Sequence, residues 1–185
     1  MNIAVGVMGS ATDAAEASAK EALAAKAGAL AQAIAARKLQ LLTGATTGIV
    51  YLVGKIAQDA GAFHVGISPA GDAREHSEKY KLPLDACDLI VYTGFGLKGR
   101  NVVLVRSCEI VLFVAGAMGS LNEFTIAHDE GKIIGCLRGT GGVADEADQL
   151  LKKFAKDTGA RVFQNADSEN LLDECLAELA RRRHA

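Results

Sequence analysis

The amino-acid sequence predicts an α/β fold, a single doubly wound domain with helices on both faces of a mostly parallel sheet of about seven strands. Three observations predict it. Short apolar runs bounded by glycine alternate with helical stretches along the chain. The runs are continuous in Val, Ile and Leu rather than alternating, which is how parallel strands read when both faces of the sheet are covered. The chain has 185 residues, enough for one core that buries roughly 70% of the unfolded surface and too few for two well-filled domains.

Each element follows in order. NIAVGVMG (2–9) is the first strand, and an alanine-rich helix follows at 12–38, its composition reflecting strong helix propensity. Asp13 and Glu16 form a D-x-x-E capping signature at its start. LQLLTG (39–44) precedes a helix at 47–60, and AFHVGISP (62–69) precedes a polar segment at 70–86, whose least regular part, 70–81, reads as a candidate lid. DLIVYTG (88–94) leads to a helix at 101–109, and IVLFVAG (110–116) to one at 121–130. IIGCLRG (133–139) leads to a helix at 145–158, and ARVFQNA (160–166) to a last helix ending near 183. Right-handed crossovers between parallel strands place these helices on both faces.

Charge and cysteine usage narrow the function classes. With 20 Lys and Arg against 22 Asp and Glu, the formal charge is −2 and no basic stripe stands out. The counterion release that drives nucleic-acid binding is therefore missing, and nucleic acid is not an expected partner. Cys87, Cys108, Cys136 and Cys175 are far apart and form no CxxC pair, so neither a zinc site nor a disulfide framework is indicated, and a reducing cytoplasm fits. His64 and His128 have no partner at metal spacing, and the default for both is packing or surface. No metal or cofactor is expected. Charges interrupt the alanine-rich stretch, which excludes a membrane span or signal peptide at the start.

The 20 glycines against 2 prolines point to ligand loops, because glycine marks places where backbone turns sharply or approaches a ligand. In an open parallel sheet the ligand lies beyond the carboxyl ends of the strands. Gly9 (followed by Ser10), Gly44, Gly94, Gly116 and Gly139 occupy such ends. Two patterns mislead. GFGLKG (94–99) matches the dinucleotide fingerprint but lies late in the chain, with no acidic residue after the next strand for a ribose. GIVYLVGKI (48–56) resembles a Walker A loop but has one residue too many and Ile56 in place of the magnesium-binding hydroxyl.

The strongest signal is the strand, turn and helix between Gly99 and Lys132. A helix beginning at about Ser120 would present N–H groups and the positive end of its dipole to an anion, and Gly116 and Gly119 would let a phosphate approach. The turn Gly116, Ala117, Met118, Gly119 and Ser120 is thus a candidate phosphate cradle.

AGAMGSLNE (115–123) resembles the motif P-G-G-x-G-T-x-x-E of the LOG family, Rossmann-like proteins often labelled lysine decarboxylases, whose characterised members are cytokinin riboside 5′-monophosphate phosphoribohydrolases. In that family a catalytic Arg precedes the glutamate by 23 residues, and Glu123 follows Arg100 by the same 23. TGATTGIVYLVGKIAQDAGAFHVGISP (43–69) is similar to the family's first glycine-rich loop and helix, which is also shortened in the related molybdenum-cofactor carrier proteins. The resemblance implies nucleotide contacts from Gly44, Ala45, Thr46, Thr47 and Gly48, and catalytic roles for Arg100 and Glu123. Ala115 replaces the motif's Pro, Ala117 its second Gly and Ser120 its Thr, while Ala45 and Thr46 stand where glycines are usual. A Cβ at Ala117 would narrow the pocket or forbid a positive φ.

The resemblance therefore implies a hydrolase that splits a nucleoside 5′-monophosphate into free base and ribose 5-phosphate, or a carrier that uses the same cradle without turnover. A homodimer is expected from the family and from the apolar helices GIVYLVGKIA and NVVLVRSCEIV. Glu123, placed in a first helical turn, is expected to be held ionised by the dipole, to stabilise an oxocarbenium-like state and to activate water. Arg100 is expected to hydrogen-bond the substrate or leaving group. SLNE (120–123) is also a capping box in its own right. At this level the two roles of Glu123 stay open. Arg106 reads as a salt-bridged surface residue, and Cys108 and Cys136 as buried hydrophobes.

Overall fold

The computed structural model describes residues 3–10 and 17–184. Seven parallel strands, β1 (Ala4–Gly9), β2 (Gln40–Thr43), β3 (His64–Ser68), β4 (Leu89–Tyr92), β5 (Ile110–Val114), β6 (Ile133–Leu137) and β7 (Arg161–Asn165), form one sheet. Its order is β4-β3-β2-β1-β5-β6-β7, with every neighbouring pair parallel. The winding runs outward from β1 in one direction and resumes from β5 in the other, so the crevice between their carboxyl ends is the topological switch point.

Among the described residues six α-helices cover the sheet: α1 (Ala17–Ala36), α2 (Ile49–Asp59), α3 (Gly96–Arg106), α4 (Met118–Asp129), α5 (Gly142–Phe154) and α6 (Ser168–Arg183). One apolar cluster joins α1, α2 and α6 to one face through Leu30, Ile34, Val53, Leu171 and the outward residues of β1 and β5. A second joins α3, α4 and α5 to the other face around Phe113 and Phe124, whose rings meet edge to face at 5.4 Å. All five residues of β5 and of β6 are buried, as a strand read as a continuous apolar run should be. Asp13 and Glu16, with their capping signature, lie outside the described residues. Among the described residues no helix is long and apolar enough to cross a membrane, and no trio of His, Cys, Asp or Glu is placed to hold a metal.

Three expectations change on contact with the structure. The helix expected at 101–109 begins at Gly96, so the dinucleotide-like glycines lie at its start: Gly94 and Gly96 take φ of 69° and 65°, and their amides donate to Ala70 O and Pro69 O. The helix expected from 121 begins at Met118. The stretch expected to be a lid holds a short π-helical turn (Glu75–Lys79) anchored by His76, which is buried. His76 Nε2 donates to Pro83 O at 3.0 Å, leaving Nδ1 to accept from Ser68 Oγ at 2.8 Å.

The minor assignments hold. Cys108, Cys136 and Cys175 are buried free thiols, with Cys87 half-buried. Arg106 pairs with Glu130 at 2.6 Å. His64 is a core residue that accepts from Thr43 Oγ1 at 2.8 Å through Nε2 and donates to Ala86 O through Nδ1. Burial pushes its pKa down.

Candidate functional site

A cavity of about 280 Å³ opens at the switch point. Its walls are the end of β1 (Val7, Met8, Gly9, Ser10), the loop after β2 (Gly44, Thr46, with Val50 of α2), α3 (Leu97, Lys98, Arg100, Asn101) and the start of α4 (Ala117, Gly119, Ser120, Glu123).

Two hydrogen bonds fix the crevice. Ser120 Oγ donates to Gly9 O and Gly116 N donates to Ser10 Oγ, both at 3.2 Å, tying the end of β1 to the turn after β5. The turn is held from behind by the first turn of α5, whose Val143 and Ala144 amides donate to Gly116 O and Ala115 O at 3.0 Å each. Ala115 sits at φ 55° and donates its N–H to Thr140 Oγ1 at 2.8 Å. Gly116 takes φ 111°, and a Cβ there would come within 2.7 Å of Ser120 Cβ. Ala117 is extended at φ −114°, so it needs no positive φ and its methyl simply lines the cavity.

The helix start removes the capping box. Ala117 is the N-cap of α4 and no side chain caps it. Ser120 is the third helical residue and turns its hydroxyl to Gly9, away from its own helix. The amides of Met118, Gly119 and Ser120 accordingly find no acceptor among the described residues, since the first bond of the helix runs from Leu121 N to Ala117 O. Free N–H groups at a helix start favour an anion.

Arg100 and Glu123 face each other from α3 and α4. Arg100 is 5% exposed, and its Nε has no hydrogen-bond partner. Its guanidinium lies against Gly44, where any Cβ would collide with Nη1. That contact, rather than a turn, is why position 44 is glycine. Glu123 is buried in the second turn of α4, beyond the strongest reach of the dipole. Burial pushes its carboxyl up to about 7, against the attraction of Arg100 and Lys98. The expectation of a carboxylate held ionised by the dipole is thereby reversed, because desolvation outweighs the helix end.

Of the residues singled out in the sequence, Gly9, Ser10, Gly44, Thr46, Arg100, Ala117, Gly119, Ser120 and Glu123 line this cavity. Ala45, Thr47, Gly48, Gly116 and Met118 do not. Ala45 is buried at φ 51°, with its amide on Thr43 Oγ1, and Met118 points to solvent. Gly139 serves a loop whose amides, with that of Gly141, are taken by Asp145 at 2.7 and 2.8 Å. Lys98 and Asn101 escaped notice because a helix started at 101 hides the face on which Leu97, Arg100 and Asn101 fall together.

The model of the SLOG cluster4 family matches residues 2–172. An uncharacterized protein of Archaeoglobus fulgidus is 31% identical over 98 residues, which are 53% of this chain and 59% of that protein. Among solved structures, the X-ray structure of TM1055 superposes with a TM-score of 0.80 at 24% identity, covering 95% of this chain and 99% of that one. The molybdenum cofactor carrier protein of Chlamydomonas reinhardtii superposes with a TM-score of 0.74 at 25% identity, covering 96% and 99%.

Proposed function

Because the chain belongs to the SLOG cluster4 family, we propose that its switch-point cavity binds a nucleoside 5′-monophosphate or a related phosphoribosyl compound and hydrolyses the N-glycosidic bond. The observation that carries this reading is the pairing of a buried guanidinium whose Nε has no acceptor with a buried carboxyl poised near neutrality, in one cavity. A buried cation without hydrogen bonds is costly unless a ligand supplies them. A carboxyl with a pKa near the working pH is suited to proton transfer.

In this reading the phosphate sits on the free amides at the start of α4, and the base points toward the mouth beside Leu97. A cavity of about 280 Å³ takes the phosphoribosyl part and leaves the base less enclosed, since it is near the low end of the range for small-ligand sites. Glu123, ionised, removes a proton from water as its oxygen attacks C1′. The electron pair of the breaking C–N bond leaves with the base, which takes up a proton from solvent, and Glu123 then releases to solvent the proton it took from water. Arg100 holds substrate oxygens during the step. The formal charge of −2 supports a small ligand over a nucleic-acid strand.

Incubation with a panel of nucleotides tests the reading. Free base should appear from 5′-monophosphates, and Glu123→Gln should slow its release by roughly 10²–10⁴. A second reading, binding without turnover, is favoured by the Ala117 methyl at the cavity wall and by the likeness to a molybdenum cofactor carrier protein. Firm nucleotide binding with no base released from any nucleotide would select it.

A further inference from the structure

We propose that Asn101 is a positioning residue for Glu123, its side-chain amide clamping one carboxyl oxygen against α3 while the other is left for the cavity. The inference rests on Glu123 being the reacting carboxyl.

Asn101 follows Arg100 on α3 and is 3% exposed, so every polar atom of its amide has to find a partner inside the protein. One orientation satisfies all of them, provided that the neighbouring amide of Asn122 turns with it. The NH2 group donates to Leu97 O at 3.0 Å and to Glu123 Oε1 at 3.1 Å, and the amide oxygen comes to 2.8 Å from the Asn122 side-chain amide, which turns over with it so that its NH2 donates back. The opposite orientation would set the amide oxygen against a carbonyl and a carboxyl oxygen, acceptor against acceptor. Asn101 therefore bridges three points, the preceding turn of its own helix and two adjacent residues of α4.

A donor on Oε1 favours the ionised carboxyl and fixes its rotamer. Glu123 has no hydrogen bond to Arg100, so Asn101 is the neutral group that sets its direction. The charges around it are few. Lys98 and Arg100 of α3 attract it. The thiols of Cys108 and Cys136 are pushed up to about 12 and stay neutral. Strands β1 and β5 bring no titratable side chain. On α5, Asp145 is held by the Gly139 and Gly141 amides and Asp148 by Arg138, while Glu146, Lys152 and Lys153 face solvent. His128 and Asp129 lie at the far end of α4.

Carbon-13 NMR of the labelled Glu123 carboxyl, followed against pH in the full chain without ligand, tests this. Burial against Arg100 and Lys98 alone sets the carboxyl at about 7, so with the Asn101 donor the wild-type midpoint should lie below that. Asn101→Leu, which keeps the bulk and removes the donor, should raise it by about one pH unit. Asn101→Asp, which keeps the shape and adds a like charge, should raise it further. An Asn101 that only packs would lower the Tm of the Leu variant and leave the midpoint unmoved, and that result overturns the proposal. In the unmodified protein the Asn101 amide protons should shift with the same midpoint as the carboxyl, and indifference to it overturns the proposal without any variant. No turnover enters these measurements. Shifted midpoints in a protein that hydrolyses no nucleotide would defeat the functional reading and leave this one standing.

Discussion

At the scale of single residues, Glu123 shows how burial overrides a helix end. Its folded pKa of about 7 stands above the ordinary 4.5, so the folded state binds the proton more tightly than the unfolded chain does. Stability is then unaffected below about 4.5 and falls as the pH rises to about 7, by up to roughly 3 kcal/mol, beyond which the full penalty remains. Glu123→Gln mimics the protonated form. Urea unfolding should show it more stable than wild type by roughly 1–3 kcal/mol at pH 8 and nearly equal at pH 4. A variant less stable at both values would mean that a favourable ion pair with Arg100 outweighs the desolvation of Glu123. Ala115 makes the opposite point about motif repair. Its φ of 55° and its N–H bond to Thr140 Oγ1 are both denied to proline. Restoring the motif's residue by Ala115→Pro should therefore cost more than about 3 kcal/mol, read as a fall in Tm, whereas Ala115→Gly should be neutral or slightly stabilising.

At the scale of elements, the working unit is the start of α4, whose first amides are left free because Ala117 cannot cap and Ser120 bonds to Gly9 instead. The first turn of α5 meanwhile spends its own amides on Ala115 O and Gly116 O. One helix start holds the loop and the next is kept open for a ligand. Charge-assisted bonds from a phosphate to such amides are worth about 1.5–3 kcal/mol each before desolvation losses. A nucleoside should accordingly bind at least roughly tenfold more weakly than its 5′-monophosphate. Equal affinities by calorimetry would remove the cradle. Gly44→Ala belongs to the same scale, since its Cβ would displace the Arg100 guanidinium. It should abolish monophosphate binding while leaving a folded protein by circular dichroism.

At the scale of the whole molecule, the sheet order brings β1, β2, α3 and α4 to one crevice from positions more than 100 residues apart. The same α3 that walls the cavity turns Leu97 and Val102 to solvent, with Phe95 just before it. Of the segments from which a homodimer is expected, NVVLVRSCEIV contributes Val102 to this face, and we propose it for pairing of two copies. Light scattering at micromolar concentration should give twice 19.2 kDa, and Val102→Asp should return the mass to that of one chain. A wild-type mass near 19.2 kDa would reject the dimer.

The sequence by itself determined the class of fold, the seven strands and their parallel character, because continuous apolar runs between glycines admit little else. It also located Arg100 and Glu123, through a spacing and a resemblance. Tertiary structure decided what these residues are like. Helix starts at 96 and 118 were illegible, since glycine-rich segments carry no apolar period and a capping box looks the same whether or not its serine faces its own helix. The glycine at 44 is explained by a guanidinium 56 positions away in the chain. The pKa of Glu123 depends on burial, which no local pattern encodes, and the Asn101 clamp exists because two consecutive helices, with β5 between them, meet over one carboxyl. Local composition writes the elements. Desolvation and long-range contact write the chemistry, and both come into being only when the chain has closed on itself.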